Sequence, residues 1–341
     1  MNAPVFVSKQ PGSRVFTMSH PLLGNRLNTA VTFTLQDWVE RLQNNSAVKV
    51  LIFQSGSFDM FSVGLNGEES VEEVESLHSL GGAIAESKTP TVAVYAGELN
   101  GTAYAAFAGC TYKLGTPSFH FRIDEILEHN KMPKGGLAYY FNKASPDGAA
   151  MARYLAISGH NVSGEEMYSM GLLSHLVEED PQSSLTNAIA HTLPDRGAGE
   201  FKSPVRGDTI KELLEDMNMD CDLDVFKSEL WDRYLLVPPN RWDVKEKEVT
   251  VPLDEKDMQD LDLYDVSAWV VQCFGGSDRV EDSLTKLTAM AEGTGMAAQW
   301  AAGCLQAIKS ADQGVVEAWW GITSGEVASS LEGVLAQERR A

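Results

Sequence analysis

Three residues have the side chains of a nucleophilic triad: Ser62, His120 and Asp124. They lie in different sequence segments, and Ser62 lacks the Gly-x-Ser-x-Gly pattern of a nucleophile elbow, so we do not expect them to act together. His129 could titrate near neutral pH, but a surface histidine is the simpler interpretation. His175 lies in an apolar run, LLSHLV, and is expected to be a hydrogen-bonded core residue.

The cysteines give no sign of a metal site or a disulfide framework. Cys110, Cys221, Cys273 and Cys304 are far apart and form no CxxC pair. Free thiols in a reducing compartment are therefore expected, with no metal and no cofactor of the protein's own.

Composition excludes several classes of protein. Of the 341 residues, 43% are hydrophobic and 22% charged, which is typical of a globular chain with a sizeable core. The formal net charge of −21 repels phosphate groups, so we do not expect direct nucleic-acid binding. No apolar run approaches the ~20 residues of a transmembrane helix. Residues Met1–Phe6 begin neither a signal peptide nor an Arg-rich presequence, which predicts a cytosolic location.

Strand and helix patterns alternate in the first part of the chain. Short apolar runs predict buried strands, and apolar residues at helical spacing predict the helices between them. The predicted strands are Val15–Met18, Val48–Phe53 and Thr91–Tyr95, and the predicted helices include Thr34–Leu42 and Ala103–Gly109. This alternation predicts an α/β core.

Strand signals become rare after Asp208, and helices are predicted at Val280–Met290, Ala297–Ile308 and Val327–Glu338. We therefore expect a core over residues 1–200 and a helical C-terminal region over 201–341, joined by an acidic connecting segment. Trp319 and Trp320 are expected in the core of a helix rather than on a docking face.

Four segments, in this order, carry a resemblance to a known family. They are Val15–Asn28 (VFTMSHPLLGNRLN), Phe58–Asn66 (FDMFSVGLN), Pro90–Ala108 (PTVAVYAGELNGTAYAAFA), and Phe121–Gly136 followed by Tyr154–Val177. The series resembles the crotonase (enoyl-CoA hydratase/isomerase) superfamily. That resemblance implies an α/β fold whose core is a spiral of repeated ββα units.

Two later segments resemble one branch of that superfamily. Val270–Leu287 (VVQCFGGSDRVEDSLTKL) and Val327–Arg339 are similar to segments of 3-hydroxyisobutyryl-CoA hydrolases. This implies a short acyl-CoA as the substrate, with coenzyme A entering only as part of it. It also implies the mitochondrial matrix as a location, against the cytosolic expectation from the N-terminus.

The resemblance implies an oxyanion hole formed by two backbone N–H groups, those of Leu65 and Thr102. Such donors hold the thioester oxygen as negative charge develops on it, and any residue except proline can supply them. The family has a triple glycine where this chain has Gly101-Thr102-Ala103. The β-branched Thr102 is therefore expected to crowd the hole.

The same resemblance implies catalytic carboxylates, of which only Glu125 survives. Ala105 stands where hydratases carry their first glutamate, and Met132–Lys134 replaces the neighbourhood of the aspartate that the hydrolases use. Lys134 is expected to make this neighbourhood positive, and Asp124 replaces the proline before Glu125. In so acidic a chain, Glu125 could also be an exposed acid without a catalytic role.

Three functions remain open from the sequence. The chain could be an acyl-CoA hydrolase or enoyl-CoA isomerase that relies on Glu125. It could be an inactive crotonase-fold subunit of a large assembly, such as a mitochondrial ribosomal small subunit, which docks through protein contacts. It could also bind acyl-CoA esters without turnover. In each case a monomer or a low homo-oligomer is expected.

Overall fold

A computed structural model describes residues 5–10, 12–65, 69–177, 210–211, 214, 261, 263–277, 279–325 and 327–340. By its internal contacts the chain divides into two compact units. Unit 1 comprises residues 1–121 and 163–220, and unit 2 comprises residues 122–162 and 221–341. The boundary expected at residue 200 lies outside the described residues, as does most of the acidic connecting segment.

Strands and helices alternate along unit 1, and helices predominate toward the C-terminus. In chain order, the described elements are β1 (Val5–Gln10), β2 (Ser13–Met18), α1 (Thr29–Leu42), β3 (Val50–Ser55), β4 (Met60–Ser62), α2 (Val71–Ala85), β5 (Thr91–Tyr95), β6 (Glu98–Asn100), α3 (Gly101–Phe107), β7 (Tyr112–Gly115), β8 (His120–Arg122), α4 (Glu125–His129), α5 (Leu137–Ala144), α6 (Gly148–Ser158), β9 (Val162–Ser163), α7 (Gly164–Ser169), β10 (His175–Leu176), α8 (Leu263–Phe274), α9 (Val280–Ala291), α10 (Met296–Ser310), α11 (Gln313–Thr323) and α12 (Leu331–Glu338). Short 3₁₀ helices cover Pro21–Leu23 and Val327–Ser329.

The strands form two sheets that follow a repeated pattern along the chain. The larger sheet has the order β1-β2-β3-β5-β7-β10, and the smaller has the order β4-β6-β8-β9. β1 and β2 are antiparallel, whereas β2-β3-β5-β7-β10 are parallel. From β3 onward the chain runs β3-β4-α2, β5-β6-α3 and β7-β8-α4. The first strand of each of these three repeats joins the larger sheet, and the second joins the smaller sheet. These repeated ββα units confirm the expected fold class.

The central strands of the larger sheet are apolar because both faces are covered. Every residue of β5 is buried, as is typical of a parallel strand inside an α/β core. Val50 and Ile52 of β3 pack with Val92 and Val94 of β5 in one hydrophobic cluster. The predicted strand Thr91–Tyr95 coincides with β5.

Helix α1 begins five residues before the predicted Thr34. Asn28 caps it, because its side chain accepts a hydrogen bond from the N–H of Val31 at 3.1 Å. Leu35, Val39 and Leu42, which recur at helical spacing, are buried.

The described part of unit 2 is mainly helical, and it contains a buried arginine. Arg153 of α6 is 2% exposed, and its guanidinium donates to the carbonyl oxygens of Phe274 (3.0 Å), Ser277 and Trp320 (3.5 Å), and to the hydroxyl of Thr323 (2.8 Å). One side chain thus links α6 to α11 and to the end of α8.

Trp319 and Trp320 of α11 are fully buried, which confirms their expected place in the core. Nε1 of Trp319 donates to the carbonyl of Ala152 at 3.2 Å. The helix predicted over Val327–Glu338 is interrupted, because Ser330 caps α12 by accepting from the N–H of Gly333 at 3.1 Å.

Candidate functional site

Unit 1 places the loop of Leu65 against the beginning of α3. Gly64, with φ +61°, adopts a left-handed conformation that glycine tolerates without strain. A Cβ on Gly64 would lie 2.6 Å from Oδ1 of Asn100 and 3.1 Å from Cβ of Thr102, so no larger residue fits. The N–H of Leu27 donates to the Gly64 carbonyl at 2.8 Å and fixes the loop. The segments of the two expected amide donors are therefore brought together.

The N–H of Thr102 already has an acceptor within the chain. Asn100 is the N-cap of α3, and its Oδ1 accepts from the N–H of Thr102 at 2.9 Å. Amides in the first turn of a helix have no acceptor within that helix, so a capping side chain competes with any ligand for them. A thioester oxygen would have to displace the Asn100 side chain to reach this donor.

Glu125 belongs to unit 2, where it is the first residue of α4. Its side chain is buried, with the residue 4% exposed, so the interpretation as an exposed surface acid is wrong. The positive end of a helix favours a carboxylate in its first turn. Beyond the helix, the N–H of Lys131 donates to the Glu125 carbonyl at 3.0 Å, and the N–H of Asn130 donates to the Ile126 carbonyl at 3.2 Å.

Lys134 does not leave its neighbourhood positive, contrary to expectation. The residue is 5% exposed, and its Nζ donates to the main-chain carbonyl of Glu338 at 3.1 Å. The Glu338 carboxylate accepts from the N–H groups of Gly135 (2.8 Å) and Gly136 (2.9 Å). A negative side chain therefore shares this cluster with the lysine.

The three residues considered for a triad have other roles or positions. The Ser62 hydroxyl donates to the Asn25 carbonyl at 2.8 Å, so it fixes the loop rather than facing a base. His120 is exposed on β8, and Asp124, in unit 2, forms an ion pair with Arg122 at 3.4 Å.

The sequence also predicts the positions of His175 and His129. His175 is 9% exposed, its Nδ1 lies 2.9 Å from the Ser174 hydroxyl, and its ring lies against Tyr112, which confirms a hydrogen-bonded core residue. His129 is half-buried at the end of α4.

The cysteines that the structure describes are buried and free. Burial raises the pKa of the Cys110 thiol to about 12 and that of Cys273 to about 11, and it also raises the pKa of Cys304. Because the thiolate is the nucleophile and the metal ligand, none of the three is prepared for either role.

The part of the chain that the structure describes contains neither a metal cluster nor a membrane span. No group of three or more His, Cys, Asp or Glu side chains there could hold a metal ion. Nor is any described helix both long enough and apolar enough to span a membrane.

Comparison with protein families and curated proteins shows which proteins this chain is similar to. Residues 13–230, more than half of the chain, match the model of a family described as enoyl-CoA hydratase/isomerase. The chain is 25% identical over 184 residues to the human protein "Enoyl-CoA hydratase domain-containing protein 2, mitochondrial", over 52% of this chain and 62% of that protein. It is 24% identical over 234 residues to the Arabidopsis thaliana "3-hydroxyisobutyryl-CoA hydrolase-like protein 5", over 65% of this chain and 57% of that one. The chain thus spans about three fifths of these curated relatives.

Solved structures show the same fold over nearly the whole chain. A carnitinyl-CoA dehydratase from Mycobacterium thermoresistibile matches 99% of this chain and 84% of its own, with a TM-score of 0.68 and 16% identity. An enoyl-CoA hydratase from Rhodobacter sphaeroides matches 99% of this chain and 83% of its own, with a TM-score of 0.65 and 14% identity. At such identities the likeness shows the fold alone.

Two residues that shape the candidate site were missed in the sequence. Asn100, directly before a small apolar helix, has the sequence signal of an N-cap, and this signal could have revealed the competition for the Thr102 amide. Glu338 has no such signal, because 202 residues separate it from Gly136.

Proposed function

Because the chain belongs to the enoyl-CoA hydratase/isomerase (crotonase) family, we propose that it binds a short acyl-CoA thioester and moves a proton on the acyl chain with Glu125 as its only catalytic carboxylate. The observation that carries the proposal is the burial of Glu125 at the start of α4. Burying a carboxylate costs free energy, and such groups concentrate at functional sites.

A single carboxylate is sufficient for double-bond isomerisation. Glu125 would take a proton from the carbon beside the thioester carbonyl, and the electron pair would move to the carbonyl oxygen as an enolate. The same carboxylic acid would return the proton two carbons further along as the double bond moves, which regenerates the carboxylate and consumes no water. By the family resemblance, the amides of Leu65 and Thr102 would stabilise the enolate oxygen.

Hydration and hydrolysis fit the remaining residues less well. Both reactions need an activated water and a second acidic residue. Where hydratases carry that acid this chain has Ala105, and where the hydrolases carry it this chain has the segment Met132–Lys134. We nonetheless keep the hydrolase branch as a proposed relative, supported by the C-terminal resemblance and by the similarity to the Arabidopsis protein. Its substrate, 3-hydroxyisobutyryl-CoA, therefore belongs among the compounds to test.

We also propose a mitochondrial location. Three similar proteins, from human, cattle and mouse, carry the word mitochondrial in their names. These relatives give no support to a cytosolic location.

Coenzyme A would act only as part of the substrate, and the net charge of −21 makes proteins more suitable partners than nucleic acid.

A second candidate function is an inactive subunit of a large assembly. One observation favours it: the N–H of Thr102 is bonded to Asn100 rather than left for a substrate. Such a subunit would keep the fold and bind its neighbours through protein contacts.

A set of assays separates the two functions. The purified chain would be incubated with a 3-enoyl-CoA, a 2-enoyl-CoA and 3-hydroxyisobutyryl-CoA, while the absorbance of the conjugated thioester and the release of free thiol are followed. We expect conversion of the 3-enoyl to the 2-enoyl ester without thiol release. The absence of turnover, together with no thermal shift in CoA esters and co-elution with a large particle, would favour the inactive subunit.

A further inference from the structure

The end of α12 is bound by three consecutive residues of unit 2. Glu338 is 2% exposed, and its two carboxylate oxygens accept separately from the N–H groups of Gly135 and Gly136, at 2.8 and 2.9 Å. Its own carbonyl accepts from Nζ of Lys134 at 3.1 Å. The carboxylate is therefore buried with one main-chain donor on each oxygen.

The backbone at this point has the shape of a carboxylate site. Gly135 and Gly136 have φ values of +82° and +84°, a conformation that glycine adopts freely and that lets neighbouring N–H groups face one anion. Gly136 is also the N-cap of α5, whose positive end favours a negative charge. A Cβ on Gly136 would lie 2.4 Å from Cδ1 of Leu331 in α12, so the close approach of α12 requires glycine there.

The same segment begins at the helix of Glu125. The N–H of Lys131 donates to the Glu125 carbonyl, and only two residues separate Lys131 from Lys134. The segment 130–136 is therefore attached to α4 at one end and to Glu338 at the other. A shift at the Glu338 end would therefore have only a short path to the backbone of the helix that contains Glu125.

We infer that Glu338 is a positioning residue, which holds the segment 130–136 and through it fixes α4 with the Glu125 carboxylate. The catalytic consequence rests on the proposed function, whereas the effect on the backbone does not. Glu338 lies in the last turn of α12, so the position of Glu125 depends on how α12 packs within unit 2.

The primary test is hydrogen exchange in the full chain. Glu338→Ala is compared with Glu332→Ala, a matched control because Glu332 is an exposed acid of the same helix. We expect at least about tenfold faster exchange at the amides of Asn130 and Lys131, about the effect of losing one buried charged hydrogen bond. These amides donate to the carbonyls of Ile126 and Glu125 rather than to the Glu338 carboxylate, so their response reports transmission along the segment.

Chemical rescue shows whether the carboxylate itself is responsible. Formate, added at high millimolar concentration to Glu338→Ala, should occupy the vacated N–H groups and restore slow exchange at Asn130 and Lys131, while chloride at equal ionic strength should not. Replacing Lys134 by methionine in the same variant should weaken the rescue, since the ammonium group that favours an anion is then absent. Unchanged exchange at the two amides in Glu338→Ala, or restoration by chloride as well as formate, would overturn the inference.

The activity arm keeps this inference separable from the proposed function. If the wild type turns over a 3-enoyl-CoA, we expect Glu338→Ala to lower kcat about tenfold with little change in KM, because small misplacements of a catalytic group slow chemistry more than binding. A kcat equal to that of Glu332→Ala would contradict positioning. If the wild type has no turnover, the proposed function fails, and the exchange and formate results alone decide the role of Glu338.

Discussion

The oxyanion segment of unit 1 and the glutamate segment of unit 2 have departed from the family pattern in different ways. In unit 1 the expected donors are backbone amides, which survive side-chain changes, yet the neighbouring Asn100 now accepts from one of them. In unit 2 the proposed catalytic group is a side chain, that of Glu125, and it is buried. What has changed there is its support, since Lys134 and Glu338 form a cluster near the position of the missing aspartate.

The two kinds of catalytic group are lost by different changes. A backbone donor cannot be removed by mutation to a residue other than proline, so it is silenced when another acceptor occupies it. A carboxylate is removed by one substitution, so its retention in a buried position is informative. The comparison favours retained proton chemistry at Glu125 and a weakened oxyanion hole at Thr102.

The largest expected effect is that of Glu125→Gln. If Glu125 is the only proton carrier, its amide should lower kcat for 3-enoyl-CoA isomerisation by about 10³-fold, within the range of general acid–base catalysis. The affinity for the CoA ester should change little, because glutamine keeps the size of the side chain. Glu128→Gln is the matched control, since Glu128 is an exposed acid of the same helix. Equal activity of the two variants would remove Glu125 from the mechanism.

A second effect concerns the stability of unit 2. Arg153→Met leaves several buried carbonyl oxygens without their donor, so we expect a loss of about 3 kcal/mol in the free energy of unfolding. Urea denaturation followed by tryptophan fluorescence measures it. Arg279→Met, in which an exposed arginine is replaced, should change the stability by less than about 0.5 kcal/mol. A loss no greater in Arg153→Met than in this control would mean that the buried guanidinium does not support unit 2.

A third, smaller effect tests the weakened oxyanion hole directly. Asn100→Ala removes the side-chain acceptor that competes for the N–H of Thr102, and we expect kcat/KM to rise about fivefold, which corresponds to about 1 kcal/mol. The same change should lower stability by about 1 kcal/mol, because α3 loses its cap.

Asn28→Ala is the control for Asn100→Ala, because Asn28 caps α1 in the same way without touching Thr102. It should lose similar stability with no gain in kcat/KM. If Asn100→Ala is slower than the wild type, then the Asn100 side chain supports the site and does not compete with the substrate.

The smallest expected effect concerns the buried thiols, whose reactivity in the native protein shows whether solvent reaches them. Burial raises the pKa of Cys110 in unit 1 and of Cys273 and Cys304 in unit 2, so the reactive thiolate is scarce below the raised pKa values. In a Cys221→Ser background, we expect little reaction with a disulfide reagent at pH 8 and full reaction of the three thiols after denaturation. Rapid labelling of one native thiol would show that its unit opens.

The fold was largely predictable because its signals are local. The continuous apolar run of β5 is typical of a strand covered on both faces, and it was predicted to the residue. β1 is not predicted from the sequence, because most of its residues are not buried and they form no apolar run. The predicted start of α1 lies too late, because apolar spacing does not reveal the cap at Asn28.

The candidate site was less predictable because it depends on contacts between distant residues. The identities of Leu65, Thr102 and Glu125 came from resemblance alone. The sequence does not reveal that a carboxylate lies near Lys134. Glu338 is 204 residues away, and nothing in the sequence distinguishes it from the other acidic residues. Burial of Glu125 depends likewise on tertiary packing, so it cannot be predicted from the sequence of a chain that is rich in acidic residues.

Exchange of substrate protons with solvent measures proton transfer by Glu125. The wild-type chain and Glu125→Gln would be incubated in D₂O with a saturated short acyl-CoA, and deuterium at the carbon beside the carbonyl would be followed by NMR. We expect steady incorporation with the wild type and none above background with the variant. Equal incorporation by both proteins, or none by either, would contradict proton transfer by Glu125.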